Sequence, residues 1–486
     1  MSQKYIFMWS TGPSTITHWA SPTAISTRPD IMRGEDVNFL SYYDRETLTA
    51  YIPEVDLERV RQTVSPWFAV AENFEAYHMH YLEEKASWWV WLREAESKDF
   101  SGLTAAELRP WYQRYTQNFY DAIANFWTSR PEWTYTVEKE LGEILERHFP
   151  DTWTDILGEL VAGTELDDIQ RQQLDLLQRW ENESNTDSLR EHISQYPWFV
   201  FGQFDETAAL EFVESRLVDF AGKTYAEEWE ALALSKEAIK NRQAEIMVGM
   251  GEDSERAEFL AGFLRTQAHE RMEIKAYWAG CGYLARNLLK RIAALMEVSL
   301  DDMQAFLSPE EHLQFLAGEV SGTELQARLP KRKQGYCIYR EIGGAITIID
   351  GDAASDYFQS HVERQKEGIR ELRGQTASKG SYTGRVRKVT VGDLEDLQQS
   401  IIDFQKGEIL VTSMTQPNMM VLAGRAAAIL TDEGGITSHA AIISRELKIP
   451  CIVGCGIAME VLSDGDLIEV DATGGKGIVK VLEKAL

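Results

Sequence analysis

The chain has 486 residues and a formal net charge of −28, with 49 basic and 77 acidic residues. This balance disfavours a nucleic-acid-binding protein and an anionic membrane surface, since both require clustered Lys and Arg. Hydrophobic residues make up 44% of the sequence, enough for sizeable cores in two to four domains of the usual ~150 residues. Four cysteines do not make a disulfide framework, and no apolar run approaches the ~18 residues of a membrane span. We therefore expect a reduced, cytoplasmic protein.

Residues 1–365 are predicted to be mainly helical. Residues 269–298 carry a long helical pattern, and Ser308 followed by Pro309 predicts the start of a short helix. All 14 tryptophans lie between Trp9 and Trp278. Along another stretch, bulky residues recur every three or four positions and so form one apolar helix face: Tyr112, Tyr115, Phe119, Ile123 and Phe126.

The composition changes near residue 370. Tryptophan is absent beyond this point, acidic residues become less dominant and glycine becomes more frequent. Short predicted strands alternate with helices, which indicates a domain with helices packed on sheet. We predict a multidomain chain with a linker at 366–375 and a separate domain at 376–486. The region before the linker can be divided further into 1–190 and 191–365.

The segment TDEGGITSHAAIISREL places His439 in the first turn of a predicted helix. Thr437 or Ser438 is a natural N-cap for this helix. The first N–H groups of a helix lack internal partners and carry the positive end of the dipole, so phosphate binds well there. The same field keeps an imidazole neutral and able to attack.

Two glycines and two hydroxyl residues precede His439. Gly434 and Gly435 allow the backbone to turn sharply and to approach a bulky anion. The hydroxyls of Thr437 and Ser438 can donate hydrogen bonds to phosphoryl oxygens. The pattern thus predicts a histidine that accepts a phosphoryl group and passes it on. The alternative is an ordinary capped helix whose histidine packs or faces solvent.

The segment GGITSHAAIISRELKIPCIVG closely resembles the phosphohistidine signature of the phosphoenolpyruvate-utilising (dikinase) family. That family includes phosphoenolpyruvate synthase, rifampin phosphotransferase and phenylphosphate synthase. The resemblance covers about residues 373–484 and implies a mobile, swivelling β/β/α domain in which His439 is phosphorylated. Thr415 and Pro417 match the family's Thr-x-Pro turn near the active histidine, which implies a supporting role for both.

Residues 257–340 are similar to the helical acceptor domain of rifampin phosphotransferase. That family often has Arg-Glu-x-Pro-Lys on a long helix, and here RMEIK retains only Arg271 and Lys275. The i, i+4 spacing puts both cations on one helix face, where they can neutralise a phosphoryl group in transit. The alternative is a solvated basic pair near Glu270 and Glu273.

His78 and His80 suggest a metal-binding pair, but we predict no metal site. On a helix, positions two apart point about 200° apart, so the two side chains cannot easily share one ion. The many Trp and Tyr residues of the first region are usually core residues. They can also line a pocket for an aromatic or apolar small-molecule acceptor.

The resemblance implies a component of a dikinase-type phosphotransferase. No ATP-grasp domain is recognisable, and phenylphosphate synthase divides such parts between subunits. We therefore expect ATP and Mg²⁺ to bind to a separate ATP-grasp partner. The β-phosphoryl of ATP would pass through His439 to a small-molecule hydroxyl or carboxylate. The alternatives are a catalytically silent binding or regulatory paralogue, and a carrier linked to phosphoenolpyruvate or pyruvate.

Overall fold

The structure is a computed structural model that describes residues 4–11, 14–182, 185–362, 369–389, 394–415, 419–435 and 438–485. The side chains of residues 10, 394–398, 420 and 439 lie outside this description. Along the described part of the chain, none of the helices is both long and apolar enough to cross a membrane.

The first part of the chain is mainly helical, as predicted. Its α-helices are α1 Thr15–Thr27, α2 Pro29–Met32, α3 Glu54–Thr63, α4 Ser65–Phe68, α5 Ala71–Ser97, α6 Ala105–Trp127, α7 Pro131–His148, α8 Trp153–Leu160, α9 Asp168–Glu181, α10 Thr186–Gln195, α11 Glu206–Arg216, α12 Tyr225–Gly249, α13 Ser254–Leu284, α14 Arg286–Met296, α15 Leu300–Phe306, α16 Pro309–Leu316, α17 Gly322–Gln326, α18 Leu329–Arg332 and α19 Asp352–His361. Short 3₁₀ helices span Pro197–Val200, Leu217–Phe220 and Gly251–Asp253.

Local sequence explains several of these boundaries. Helix α16 begins at Pro309 because Ser308 forms a capping box with Glu311, in which the Ser308 N–H donates to the Glu311 carboxylate at 2.8 Å. The predicted helix at 269–298 is in fact divided between α13 and α14, with Ala285 at the break. The bulky residues predicted to form one face of α6 are all buried.

A five-stranded antiparallel sheet also belongs to this part, and the first four of its strands along the chain were not predicted. In sheet order its strands are β1 Tyr5–Thr11, β3 Leu48–Pro53, β2 Phe39–Tyr43, β4 Tyr336–Arg340 and β5 Thr347–Asp350. Strand β2 pairs with β4 in a register that places Ser41 opposite Ile338. The sheet thus joins the start of the chain to the segment that precedes the second part. Strands β1 to β3 are rich in aromatic and β-branched residues, a strand signal that helical periodicity elsewhere obscured.

The second part is a closed β-barrel with helices around it. Around the barrel the strands run β10 Cys451–Val453, β6 Glu371–Ser378, β12 Lys476–Glu483, β11 Leu467–Ala472, β7 Gly380–Lys388, β8 Ile409–Thr412 and β9 Ala428–Thr431. Its helices are α20 Leu394–Asp403, α21 Met420–Ala423, α22 His439–Leu447 and α23 Ala458–Val461. Strands β8, β9 and β10 are parallel neighbours and buried throughout, which explains their continuous apolar runs.

The predicted linker at 366–375 differs from the structure over residues 371–375. These residues already belong to β6. This strand pairs with β12, where Glu371 lies opposite Lys480, and with β10, where Gln375 lies opposite Val453. Several side chains of β6 are exposed, and these polar residues were interpreted as a connection. Pairing with neighbouring strands, which local composition does not report, is what makes this segment a strand.

The barrel packs against the helical part in this arrangement. The main hydrophobic core extends from the helices to Met414, Ala441 and Ile443 of the barrel part. Polar contacts add to this interface: Lys379 Nζ lies 2.6 Å from Asp155 Oδ2, and the Tyr51 hydroxyl donates to Glu460 at 3.1 Å. The start of α22 is therefore held close to the helical part.

Candidate functional site

Helix α22 begins at His439, as the sequence predicted. Ser438 occupies the N-cap with extended backbone, and its Oγ accepts a hydrogen bond from the Ala441 N–H at 3.4 Å. This places His439 at the positive end of the helix, where backbone N–H groups are available to an anion. The side chain of His439, together with Thr437 and Pro417, lies outside the described residues.

The turn before this helix requires a glycine at position 434. Gly434 has φ +101°, and a Cβ built there would lie 2.7 Å from the Cβ of Ser438. A Cβ on Gly435 would instead meet atoms only at ordinary distances, the Gln375 Oε1 at 3.7 Å and the Pro131 Cγ at 3.8 Å. Gly435 thus lies close to the first turn of α7 in the helical part.

Three cationic side chains of the helical part are collected next to this turn. Arg130, the N-cap residue of α7, Arg271 and Lys275 are all buried. The Arg271 guanidinium lies over the Phe126 ring at 4.3 Å and donates to the Ser129 hydroxyl at 3.1 Å. The burial of Arg271 and Lys275 contradicts the alternative of a solvated basic pair. We call Arg130, Arg271 and Lys275 the cationic cluster.

The loops of the barrel meet the cationic cluster at two points. Lys275 Nζ donates to the Thr415 carbonyl oxygen at 3.3 Å, so the structure brings these two predicted residues together. The Glu433 carboxylate lies 3.7 Å from Arg130 Nη1. Neither Glu433 oxygen has a hydrogen-bond partner among the described residues. Glu433 and Arg130 were not predicted as site residues, although Glu433 stands directly before the two glycines.

The electrostatics of the cationic cluster favour an additional negative charge. Burial and the nearby Arg130 lower the pKa of Arg271 to about 10, and burial followed by repulsion from Arg271 lowers the pKa of Lys275. Burial raises the pKa of Glu433, against the opposing effect of the three cations. A doubly charged phosphoryl group close to the cluster would relieve this repulsion between buried cations.

A cleft of about 1320 Å³ opens beside this site, on another face of α13. Its walls come from the helical part, including α12 and α13, and from the barrel, including Ile442 and Glu446 of α22. None of the described residues that line it is Trp, Tyr or Phe. The aromatic residues considered for an acceptor pocket pack elsewhere, and Trp88 and Trp91 are buried in the core. Among the described residues, no group of His, Cys, Asp and Glu is arranged to hold a metal ion.

Comparison with known proteins finds a family match within the second part. Residues 404–475 match the family model described as PEP-utilising enzyme, mobile domain. Over these residues the barrel part is similar to the mobile domain of phosphoenolpyruvate-utilising enzymes. Its match includes the glycine turn, the N-cap Ser438 and His439.

Three similar proteins match between 25% and 35% of the chain. A probable phosphoenolpyruvate synthase of Archaeoglobus fulgidus is 45% identical over 121 residues, which cover 25% of this chain and 15% of that protein. The phosphoenolpyruvate synthase of Pyrococcus furiosus is 41% identical over 153 residues, 30% of this chain and 18% of that protein. An uncharacterised phosphotransferase of Bacillus subtilis is 38% identical over 176 residues, 35% of this chain and 20% of its own length.

These matches relate the chain to phosphotransferases, but the chain spans only a fifth or less of each relative. An NMR structure of Enzyme I aligns with 65% of this chain and 81% of its own, at 16% identity and a TM-score of 0.17. A score this low does not support a shared overall arrangement.

Proposed function

We propose that this chain is the phosphohistidine-carrying component of a dikinase-type phosphotransferase. In this proposal His439 receives the β-phosphoryl of ATP and transfers it to a small-molecule acceptor. The observation that supports it most is the meeting of two parts of the chain. The helix that begins at His439 lies in the barrel, whereas the cationic cluster beside its glycine turn comes from the helical part.

The proposed mechanism assigns a role to each described group. The N-terminus of α22, with the Ser438 hydroxyl and the backbone at Gly434 and Gly435, would bind phosphoryl oxygens. Arg271 and Lys275 would stabilise charge while the phosphoryl group moves, and Arg130 would add a third cation. Thr415 supports the site by holding Lys275 through its carbonyl.

Charging of His439 is proposed to take place away from the cationic cluster. The barrel would swing between the helical part, as seen here, and a separate ATP-grasp subunit that binds ATP with Mg²⁺. Since both the acceptor and the donor sites must be reached by one histidine, the barrel has to leave its present position in every cycle.

Mass spectrometry at neutral to alkaline pH tests this proposal, because phosphohistidine is acid-labile. Protein isolated from its own cells should carry a phosphoryl group on His439, whereas the purified chain with ATP and Mg²⁺ should not. The His439→Ala variant should carry none, while its thermal unfolding stays like that of the wild type. Proteins that co-purify with the chain would identify the donor subunit.

Other outcomes would contradict the proposal in distinct ways. Labelling of the purified chain by ATP alone would refute the separate nucleotide subunit. Absence of a phosphoryl group in both samples, with His439 reactive towards chemical labelling, would favour a catalytically silent binding protein. A phosphoryl group that appears only with phosphoenolpyruvate would favour a carrier linked to that compound.

A further inference from the structure

A carboxylate–histidine pair lies on the cleft face of α13, and none of the contacts described so far involves it. His78 of α5 makes a hydrogen bond through Nδ1 to Glu270 Oε1 at 2.5 Å. Glu270 is buried, with only 3% of its side chain exposed, whereas 32% of the His78 side chain is exposed. Residues 78 and 270 come from helices far apart in sequence, so this contact depends on the fold rather than on local spacing.

A chain of hydrogen bonds behind Glu270 fixes its orientation. The second carboxylate oxygen, Oε2, accepts from Gln267 Nε2 at 2.8 Å, and Gln267 Oε1 accepts from the Thr128 hydroxyl at 2.9 Å. Thr128 is in turn 2.9 Å from the Tyr77 hydroxyl. Oε2 of Glu270 accepts a hydrogen bond, and Oε1 accepts another in the tautomer that carries the His78 proton on Nδ1. Burial raises the pKa of Glu270, and the hydrogen bond to His78 opposes this rise.

This arrangement leaves Nε2 of His78 available on the cleft side. Nε2 makes no hydrogen bond to any residue that the structure describes, and His78 lines the cleft. Hydrogen bonding to Glu270 also raises the pKa of the imidazole, which strengthens it as a proton acceptor. The cleft is further lined by Ile442 and Ile443 of α22, the helix that begins at His439.

We propose that His78, oriented by Glu270, is the general base that removes the proton from an acceptor hydroxyl bound in the cleft. The inference rests on the proposed function and deepens it. A bond forms between the hydroxyl oxygen and phosphorus, and the bond between phosphorus and the His439 nitrogen breaks. The hydroxyl proton moves to Nε2 of His78, and the electron pair of the broken bond returns to the His439 imidazole.

The pair also selects between the two acceptor classes. A carboxylate is already ionised near neutral pH and needs no base before it attacks phosphorus. A hydroxyl does need one, and a positioned base typically contributes about 10²–10⁴-fold to the rate. The cleft therefore suits a polar compound with a free hydroxyl. Its lining, which includes Arg171, Lys236 and Asp167 and lacks aromatic rings among the described residues, is consistent with a polar ligand.

Chemical charging separates this inference from the proposed function. Phosphoramidate is used to phosphorylate the full chain, and peptide mass spectrometry measures the phosphoryl group on His439. Its loss is then followed with water alone and with ethylene glycol as the probe alcohol, and hydroxyethyl phosphate is quantified. Charging reports on His439, whereas discharge to the alcohol reports on the base.

Three substitutions are compared with the wild type. His78→Gln should charge normally but lose about 10²-fold or more of the transfer to ethylene glycol. Glu270→Gln should lose less, because the imidazole stays in place without its carboxylate, and Glu270→Asp should restore part of the rate. His80→Gln is the matched control, since His80 lies on the same helix, is 54% exposed and pairs only with Glu84 in the described chain.

The results can contradict the inference directly. Equal transfer rates for the wild type and His78→Gln, at equal charging, would overturn it, as would an equal loss in His80→Gln. Failure of His439 to charge in the wild type would instead count against the proposed function. Thermal unfolding of each variant verifies that the fold is retained.

Discussion

The two faces of helix α13 organise charge in opposite ways. On the face towards the cleft, each charged group has a close partner: Glu270 pairs with His78, and Glu273 lies 2.8 Å from Lys85 Nζ. On the face towards the glycine turn, Arg271 and Lys275 are buried beside a third cation, Arg130. Two carboxylates accompany the three cations: Glu132, 3.6 Å from Arg130 Nε, and Glu433 of the barrel.

The difference between the faces indicates different tasks. A fully paired set of groups is stable by itself and can hold one side chain, such as His78, in a fixed orientation. A buried excess of cations is costly unless an anion joins it, which is what a carrier of phosphoryl groups would supply. Adjacent faces of one helix thus offer a permanent network and a place for a transient charge.

Replacing Lys275 with Met should have the largest effect on function. Loss of one group that stabilises developing charge costs about 10²–10³-fold in rate, so transfer from phosphorylated His439 should fall to that extent. The free energy of unfolding should change by less than about 1 kcal/mol, because the cost of burying the ammonium disappears as well. Discharge kinetics and urea unfolding measure the two effects. Lys290→Met, at an exposed position of α14, is the control, and an unchanged discharge rate would remove Lys275 from the site.

Replacing Glu273 with Gln tests the paired face through its pH dependence. Burial would raise the pKa of Glu273, but hydrogen bonds from His269 and Lys85 lower it to about 2, against an ordinary value of 4.5. The stabilisation is present above pH 4.5 and is lost as the pH falls through about 2. The variant should be less stable than the wild type by about 1–3 kcal/mol at pH 6, and the gap should close towards pH 2. If the difference in the free energy of unfolding between wild type and variant stays constant over this pH range, Glu273 is not paired with Lys85 and His269 in solution.

Replacing Gly434 with Ala should strain the glycine turn that lies next to the cationic cluster. The left-handed φ and the approach to Ser438 together cost about 1–3 kcal/mol, which thermal unfolding of the full chain detects. Gly435→Ala should cost much less, since its Cβ would meet only ordinary contacts. Equal destabilisation by both substitutions would mean that the turn differs from the one described.

Replacing Lys379 with Ala should have the smallest effect. The Lys379–Asp155 pair joins the barrel to the helical part, but both side chains are about half exposed, and such pairs contribute less than about 1 kcal/mol. Small-angle scattering should therefore show the same average dimensions for the variant and the wild type. If the variant is measurably larger than the wild type, polar contacts such as this pair, and not the shared apolar core, hold the barrel in place.

Much of the barrel could be predicted because its signals are local. The strand at 428–431 is a buried apolar run, and Ser438 caps α22 as its position before the helix suggested. Arg271 and Lys275 were found through a motif. Arg130 was missed, since its role depends on α7 and α13 meeting in space. His78 and Glu270 were each noticed, but nothing local in the sequence links residues 192 positions apart.

The pairing of Phe39–Tyr43 with Tyr336–Arg340 has a consequence for synthesis. Until the ribosome has released β4, the edge of β2 that pairs with it in the native sheet stays open. An open strand edge can pair with other unfolded chains. Its native pairing joins residues about three hundred positions apart, and contacts of such long range form slowly. The helical part must therefore remain incomplete until it is nearly all made, whereas the barrel, made afterwards from contiguous sequence, can fold at once.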